Sequence, residues 1–331
     1  MPDDEGGSAF GDAYEMYDRS KGGNDKLIGG DNTRSWLFGD AWRMFDAARG
    51  GNDVLKAGDH SFDTLYGDAR YMFDHTRGGN DRLTGDNGST NNMYGDASTL
   101  NDDARGGDDR LIGGDDSDNR LIGDASTMKD ASVGGGDRLV GGDDSTYALY
   151  GDAYSMYTGK DPTIATDTSQ GGDDTLVGGD NSDNRLFGDA YYMSADNVGG
   201  DDKLVAGDGG YNVLYGEAYA MYGNAVGGDD RLVSGTGVNH MVGDAKVMKD
   251  DAVGGADTFV FAPGGGDDFI HDFDPLEGDL IDGRAHGFDS LDDMTITDLG
   301  ADTLVEFGDD SVTLVGFDDP SLLTADEFIF V

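Results

Sequence analysis

A four-residue element, Gly-Gly-x-Asp, returns along the chain at Gly22, Gly50, Gly78, Gly106, Gly134, Gly171, Gly199, Gly227 and Gly254. The step is 28 residues, with one step of 37 and a last one of 27. A second element, Gly-Asp-Ala, keeps the same beat at Gly11, Gly39, Gly67, Gly95, Gly123, Gly151, Gly188 and Gly243, with Gly216-Glu217-Ala218 as a variant. Registered copies in this number do not arise by chance, and they restrict the chain to stacked-repeat architectures. The long step is explained by extra residues at 158–168, around Pro162, expected to form a surface loop between coils.

Within each unit the apolar residues fall in columns. Two positions after the Asp of Gly-Gly-x-Asp stand Leu27, Leu55, Leu83 and their successors, ending at Phe259. A second column, Leu37, Leu65, Met93, Leu121 and onward, precedes Gly-Asp-Ala. The residues between them are mostly Gly, Asp, Asn, Ser and Thr, which is turn chemistry. Each unit therefore holds at least two strands, too short to stand alone, whose stacking at ~4.8 Å closes a thin continuous core. Gly serves the corners, where backbone turns or approaches closely. A mostly aromatic column (Phe10, Phe38, Tyr66, Tyr94, Tyr150, Phe187, Tyr215) directly follows the second Leu column and is expected to point away from that core. The Met column (Met16, Met44, Met72, Met128 and onward) is expected to fold back and cover those rings.

Three acidic columns run the length of the stack. One is Asp25, Asp53, Asp81, Asp109, Asp137, Asp174, Asp202, Asp230 and Asp257. Another is Asp12, Asp40, Asp68, Asp96, Asp124, Asp152, Asp189, Glu217 and Asp244. The third is Asp31, Asp59, Asp86, Asp115, Asp143, Asp180 and Asp208, ending at Thr236. Overall, 68 acidic residues face 22 basic ones, a net charge of −46. Carboxylates one strand spacing apart repel by ~3 kcal/mol per pair at an effective dielectric near 20. A bare chain of this charge tends toward disorder unless cations are recruited. Ca²⁺ accepts six to eight oxygens from carboxylates and carbonyls, whereas Mg²⁺ demands a tighter octahedron. Zn²⁺ prefers His or Cys; there is no Cys, and the five His share no column. All three columns are therefore candidate Ca²⁺ ligands.

The run Gly22-Gly23-Asn24-Asp25-Lys26-Leu27-Ile28-Gly29-Gly30 and its copies resemble the nonapeptide G-G-x-G-x-D-x-U-x of repeats-in-toxin (RTX) proteins. The resemblance covers residues 11–257. It implies an all-β, right-handed parallel β-solenoid, a calcium β-roll, here of about nine 28-residue coils with a C-terminal β cap. The full nonapeptide is not kept: Ala48-Arg49 stands where the family has Gly-Gly. Residues 1–256 are read as the solenoid and 257–331 as a second region of short alternating strands, including 294–297, 303–307 and 311–317. This second region, ending Phe328-Ile329-Phe330-Val331, resembles the C-terminal domain of type I-secreted RTX proteins. The resemblance implies an uncleaved export signal, the type I secretion machinery as a partner and an extracellular or cell-surface location. It also fits a cap over the last coil.

Other classes are disfavoured. The acidic N-terminus lacks the apolar segment of a Sec signal, and no apolar run approaches the ~18 residues of a membrane span. The net charge repels nucleic acid and anionic membranes. No H-E-x-x-H, G-x-S-x-G, P-loop or dinucleotide fingerprint is present, and the carboxylates form ladders rather than one singular pair. The expectation is a non-enzymatic, secreted calcium-binding protein with a structural role in matrix, surface layer or adhesion, whose partners are further copies of itself or extracellular polysaccharide. The alternatives are a carbohydrate-binding module stacking sugars on an aromatic face (Tyr14, Trp42, Tyr154, Tyr191, Tyr219) or a non-catalytic remnant of an RTX enzyme.

Overall fold

The computed structural model of the protein describes residues 7–156 and 167–331, so most of the insertion expected at 158–168 lies outside the described residues. It is a parallel β-solenoid of about nine coils with almost no helix. Each coil contributes one strand to each of three sheets. The first sheet stacks Ser8–Phe10, Trp36–Phe38, Phe62–Tyr66 and their successors. The second stacks Ala13–Met16, Ala41–Met44, Ala69–Met72 and onward. The third stacks Lys26–Ile28, Val54–Lys56, Arg82–Thr84 and onward. The sequence period sets the register, so Leu37 pairs Leu65, Leu65 pairs Met93, and Leu27 pairs Leu55. A fourth ladder is one residue wide and runs Lys21, Arg49, Arg77, Arg105, Val133 and onward as isolated bridges.

The coil has two separate apolar interiors. The two Leu columns, on the first and third sheets, face each other in one of them. The Met column packs with Ala41, Ala69, Ala97 and with Ala48 and Ala104 in the other. The expectation that Met covers the rings is thus corrected. Strands of the second sheet depart from strict alternation, burying both the Ala and the Met three positions on while the two residues between stay half-exposed. The Met therefore points inward. The rings are nonetheless buried: Phe38 stacks on Phe10 at 4.9 Å and on Tyr66 at 5.0 Å. Their cover is the residue after the Ala, as in Trp42 over Phe38 and Tyr191 over Phe187.

Two turns per coil need a left-handed residue. One uses Asn32, His60, Gly88, Asp116, Asp144, Asn181 and Gly209; the other uses Asp18, Asp46, Asp74, Asp102 and Asp130. Asp, Asn and Gly tolerate this conformation best, which explains why so much turn chemistry separates such short strands.

At the C-terminal end the first and third sheets continue through Asp267–Ile270 and Leu280–Asp282, while the second stops at Ala245–Met248. Thr295–Asp298, Thr303–Phe307 and Asp310–Leu314 form an antiparallel meander whose last strand joins the first sheet in parallel. Val305, Phe307, Val312, Phe273 and Phe328 close over the end of the Leu interior. The region is a cap in the physical sense, since it covers apolar surface that the last coil would expose.

Gly67 lies where successive coils touch. A methyl group there would fall inside van der Waals distance of both the Gly95 carbonyl and Asp81 Oδ2, whereas at Gly136 the nearest atom would be 3.2 Å away. Gly67→Ala is predicted to lower stability by ~3 kcal/mol or more, and Gly136→Ala by under ~1 kcal/mol. Paired thermal melts of the two variants against the parent chain check this.

Candidate metal centre

The two elements that repeat in the sequence meet in space. The Gly-Asp-Ala corner connects the first sheet to the second, and Gly-Gly-x-Asp leads into the third sheet. The N–H of Gly51 donates to Asp40 Oδ2 at 3.0 Å, that of Gly79 to Asp68 Oδ2 at 3.0 Å, and that of Gly107 to Asp96 at 3.1 Å. These contacts join the two corners of each coil into a waist between its two apolar interiors. Two of the three acidic columns face each other there, and away from the N-terminal coil their members are buried.

The column of Gly-Gly-x-Asp carboxylates is tied coil to coil. The N–H of Asp53 donates to Asp81 Oδ1 at 2.6 Å, that of Asp81 to Asp109 Oδ1 at 2.6 Å, and that of Asp230 to Asp257 Oδ1 at 2.9 Å. The other oxygen is orphaned: Oδ2 of Asp25, Asp53, Asp81, Asp109, Asp137, Asp174, Asp202, Asp230 and Asp257 is buried without a hydrogen-bond partner. Asp40, Asp152, Asp189 and Glu217 each carry an orphaned oxygen in the facing column. Glycine lets the orphaned Oδ2 atoms and backbone carbonyls approach one another closely. The position a Cβ would take on Gly39, Gly67, Gly95 or Gly123 is flanked by the orphaned Oδ2 and by the carbonyl oxygen of the next coil's Gly. Carboxylates of successive coils also converge beside the first Gly of Gly-Gly-x-Asp: at Gly78 they are those of Asp96 and Asp68.

No three His, Cys, Asp or Glu side chains close on a single point among the described residues. The oxygens instead form a continuous row of carboxylates and backbone carbonyls. A hard cation with a high, flexible oxygen count fits that donor set, and Zn²⁺ does not. Buried anionic oxygens with no donor are also costly to leave uncompensated.

Electrostatics points the same way. Burial, reinforced by neighbouring carboxylates, raises Asp68, Asp109, Asp124, Asp152, Asp174, Asp230, Asp257 and Glu217 well above the usual range. Asp40 is pushed up to about 8 and Asp53 to about 6, with burial the main cause in both. Asp282, by contrast, is held down to about 2, chiefly by its hydrogen bonds to Arg284, with Arg231 also on it. Among the described residues no Lys or Arg makes an ion pair with the waist carboxylates.

The third acidic column lies apart, on the exposed turn between the third and first sheets. Its carboxylates accept backbone N–H groups of the next coil, as Asp59 N to Asp31 Oδ1 at 3.1 Å and Asp143 N to Asp115 Oδ1 at 3.0 Å. Asp180 and Asp208 continue the pattern. Asp86 is out of register by one residue: Asn87 holds the column position, donating from its side chain to Asp115 and accepting the Asp115 N–H. Asp86 pairs instead with Lys56 at 2.7 Å. Asp12, in the N-terminal coil, is exposed.

Sequence reasoning missed two members of the buried row. Asp279 accepts the N–H of Asp257 at 3.0 Å, and Asp272 accepts from Gly243 and Asp244 at 2.9 and 3.1 Å. Both are pushed up to about 7, mainly by burial. The signal for Asp279 was present, since Asp279-Leu280-Ile281 keeps the Asp-x-apolar rhythm of Asp257-Thr258-Phe259 after the Gly-Gly spacing has gone.

No known protein family matches the chain, and no curated protein does.

The pH response of the metal-free chain follows from the raised carboxyls. A carboxyl whose folded pKa exceeds its unfolded value near 4 stabilises the fold below that value. The stabilisation is lost as pH rises through about 6 for Asp53 and Asp244, and through about 8 for Asp40. Metal-stripped protein is therefore expected to gain β structure on acidification from pH 8 to pH 5. Far-UV circular dichroism across that range checks it; a flat signal contradicts the assignment of the buried row.

Proposed function

We propose that the chain is an extracellular calcium-binding protein of the RTX kind, whose folding is switched on by Ca²⁺ and whose role is structural, in a matrix, surface layer or adhesive coat. One observation carries the reading: in each coil a buried Asp oxygen lacks any donor, and in all but the last it lies beside the backbone carbonyl of the next coil's Gly, an approach that glycine permits. The residues that would hold the ions are Asp25, Asp53, Asp81, Asp109, Asp137, Asp174, Asp202, Asp230 and Asp257, with the facing Asp40, Asp68, Asp96, Asp124, Asp152, Asp189, Glu217 and Asp244. The chemistry supplied by bound calcium is neutralisation of the row. The chain's own part is to present oxygens from two coils at once, so that binding and stacking become one equilibrium.

Type I export fits this logic. Where Ca²⁺ is scarce, self-repulsion keeps the chain expanded, as passage through a narrow channel requires; where Ca²⁺ is millimolar, the coils close. The reading assigns no catalytic step. Sugar stacking on the aromatic columns is less well supported, because successive rings already use their faces on one another, as in Tyr17, Phe45 and Phe73 at 5.1 Å spacing.

Chelation by EGTA at pH 7.5 is expected to abolish most of the β signal in circular dichroism, and calcium to restore it cooperatively. A spectrum unchanged by chelation rejects the reading. Asp109→Asn, in the buried row, is expected to raise the calcium midpoint about tenfold, or ~1.4 kcal/mol. Asp115→Asn, in the exposed column, is expected to leave it within about twofold.

A further inference from the structure

The outer side of the same Gly-Gly-x-Asp segment carries a charge pattern opposite to the rest of the molecule. Lys21, Arg49, Arg77 and Arg105 stand in register on four successive coils of the isolated-bridge ladder. Arg82, Arg110 and Arg138 stand in register on three successive coils of the third sheet. All are exposed, and among the described residues none makes an ion pair. The column between the two ladders reads Asn24, Asn52, Asn80, Asp108 and Gly136 along the basic stretch, so a single acidic residue, Asp108, interrupts it. It turns acidic, at Asp173, Asp201 and Asp229, where the bridge ladder has become Gln170, Val198 and Val226. Seven of the chain's 22 basic residues are thus gathered on one strip of a protein whose net charge is −46.

Like charges aligned across neighbouring strands destabilise a sheet unless something offsets them. We propose that this strip binds a linear polyanionic polysaccharide, whose carboxylate or sulfate groups lie along the two basic ladders. The spacing of ~4.8 Å between rungs is shorter than the ~10 Å Debye length at 0.1 M salt, so the charges of a ladder act together. Width decides the class of partner. A single polysaccharide chain is narrow enough to feel the strip alone, whereas an anionic bilayer also meets the field of the acidic remainder. Single-stranded nucleic acid is bound through aromatic stacking platforms, and the two ladders and the column between them contain no aromatic residue. The inference rests on the register of the solenoid and not on the calcium reading, so the two can fail separately.

The test uses the full chain in saturating calcium, with labelled dextran sulfate as probe and neutral dextran, phosphatidylglycerol vesicles and single-stranded DNA as comparisons. Dextran sulfate is expected to bind at low salt, to be released as salt rises, and to lose at least tenfold in affinity with Arg77→Gln/Arg105→Gln/Arg110→Gln. The calcium midpoint of that variant, read by circular dichroism, is expected to stay within about twofold. Absence of dextran sulfate binding, undiminished binding by the variant, or tighter binding of vesicles or DNA each overturns the proposal. So does a variant that no longer folds in calcium, because the arginines then serve the fold. Should chelation leave the solenoid folded and still binding dextran sulfate, the calcium reading fails and this one stands.

Discussion

A buried carboxylate oxygen that accepts no hydrogen bond, repeated once per coil, is the constraint on which this fold turns. Each coil gains from burying two Leu-type side chains and a Met, at ~1.5–3 kcal/mol apiece. Each also stacks two buried acidic columns, at ~3 kcal/mol per ionised neighbour pair in each, before desolvation is counted. The opposing terms are of similar size, so apolar burial alone does not carry the charged solenoid. Protons or cations must enter the waist. The raised carboxyls express the first solution, and the carboxylate and carbonyl oxygens crowded together at the glycines are the donor set the second would use.

Much of this was legible in the sequence because a solenoid converts period into contact. Once Leu37 and Leu65 fall one period apart, their pairing follows, and so does the existence of every column. Which way a column points was harder to read. Strict alternation would turn Met44 to the aromatic side, but the second sheet breaks alternation after Ala41 and takes the Met inside. Three acidic columns look equivalent as strings, and all three lie beside close-packed glycines, yet only two come together, because the Gly-Asp-Ala and Gly-Gly-x-Asp corners are hydrogen-bonded to each other across the waist. Asp86 shows the limit in one residue: an acidic side chain near the right place belongs to another column when its neighbour Asn87 holds the register. Of the C-terminal members, Asp279 escaped because it lies 22 residues beyond Asp257, a spacing set by the cap's own turns, whereas Asp272 keeps the 28-residue step from Asp244 but has lost the Gly and Ala that mark the column.

The cap clarifies how the row ends. The third sheet continues into Leu280–Asp282, and Asp257 there donates its N–H to Asp279 as it would to another coil. Three residues after Asp279, Asp282 meets Arg231 and Arg284 and needs no added cation. The chain thus passes from carboxylates without a cationic partner to one paired with arginines, at the point where the Leu interior is closed by Phe307 and Phe328. Coil-like hydrogen bonding and internal ion pairing together let a repetitive stack finish without an exposed apolar end.

Inner and outer charge patterns share a single backbone segment. In Arg77-Gly78-Gly79-Asn80-Asp81-Arg82 the Asp points to the waist while both Arg face solvent. The glycines between them hold the segment against the carboxylates behind it. The potential felt in front of the arginines therefore depends on what sits behind them. With an uncompensated row the interior field opposes the approach of an anion; with that row neutralised by cations, the ladders stand alone at the surface. On the two proposals, cation uptake and polyanion binding favour each other through that shared segment, and by linkage each strengthens the other by the same factor.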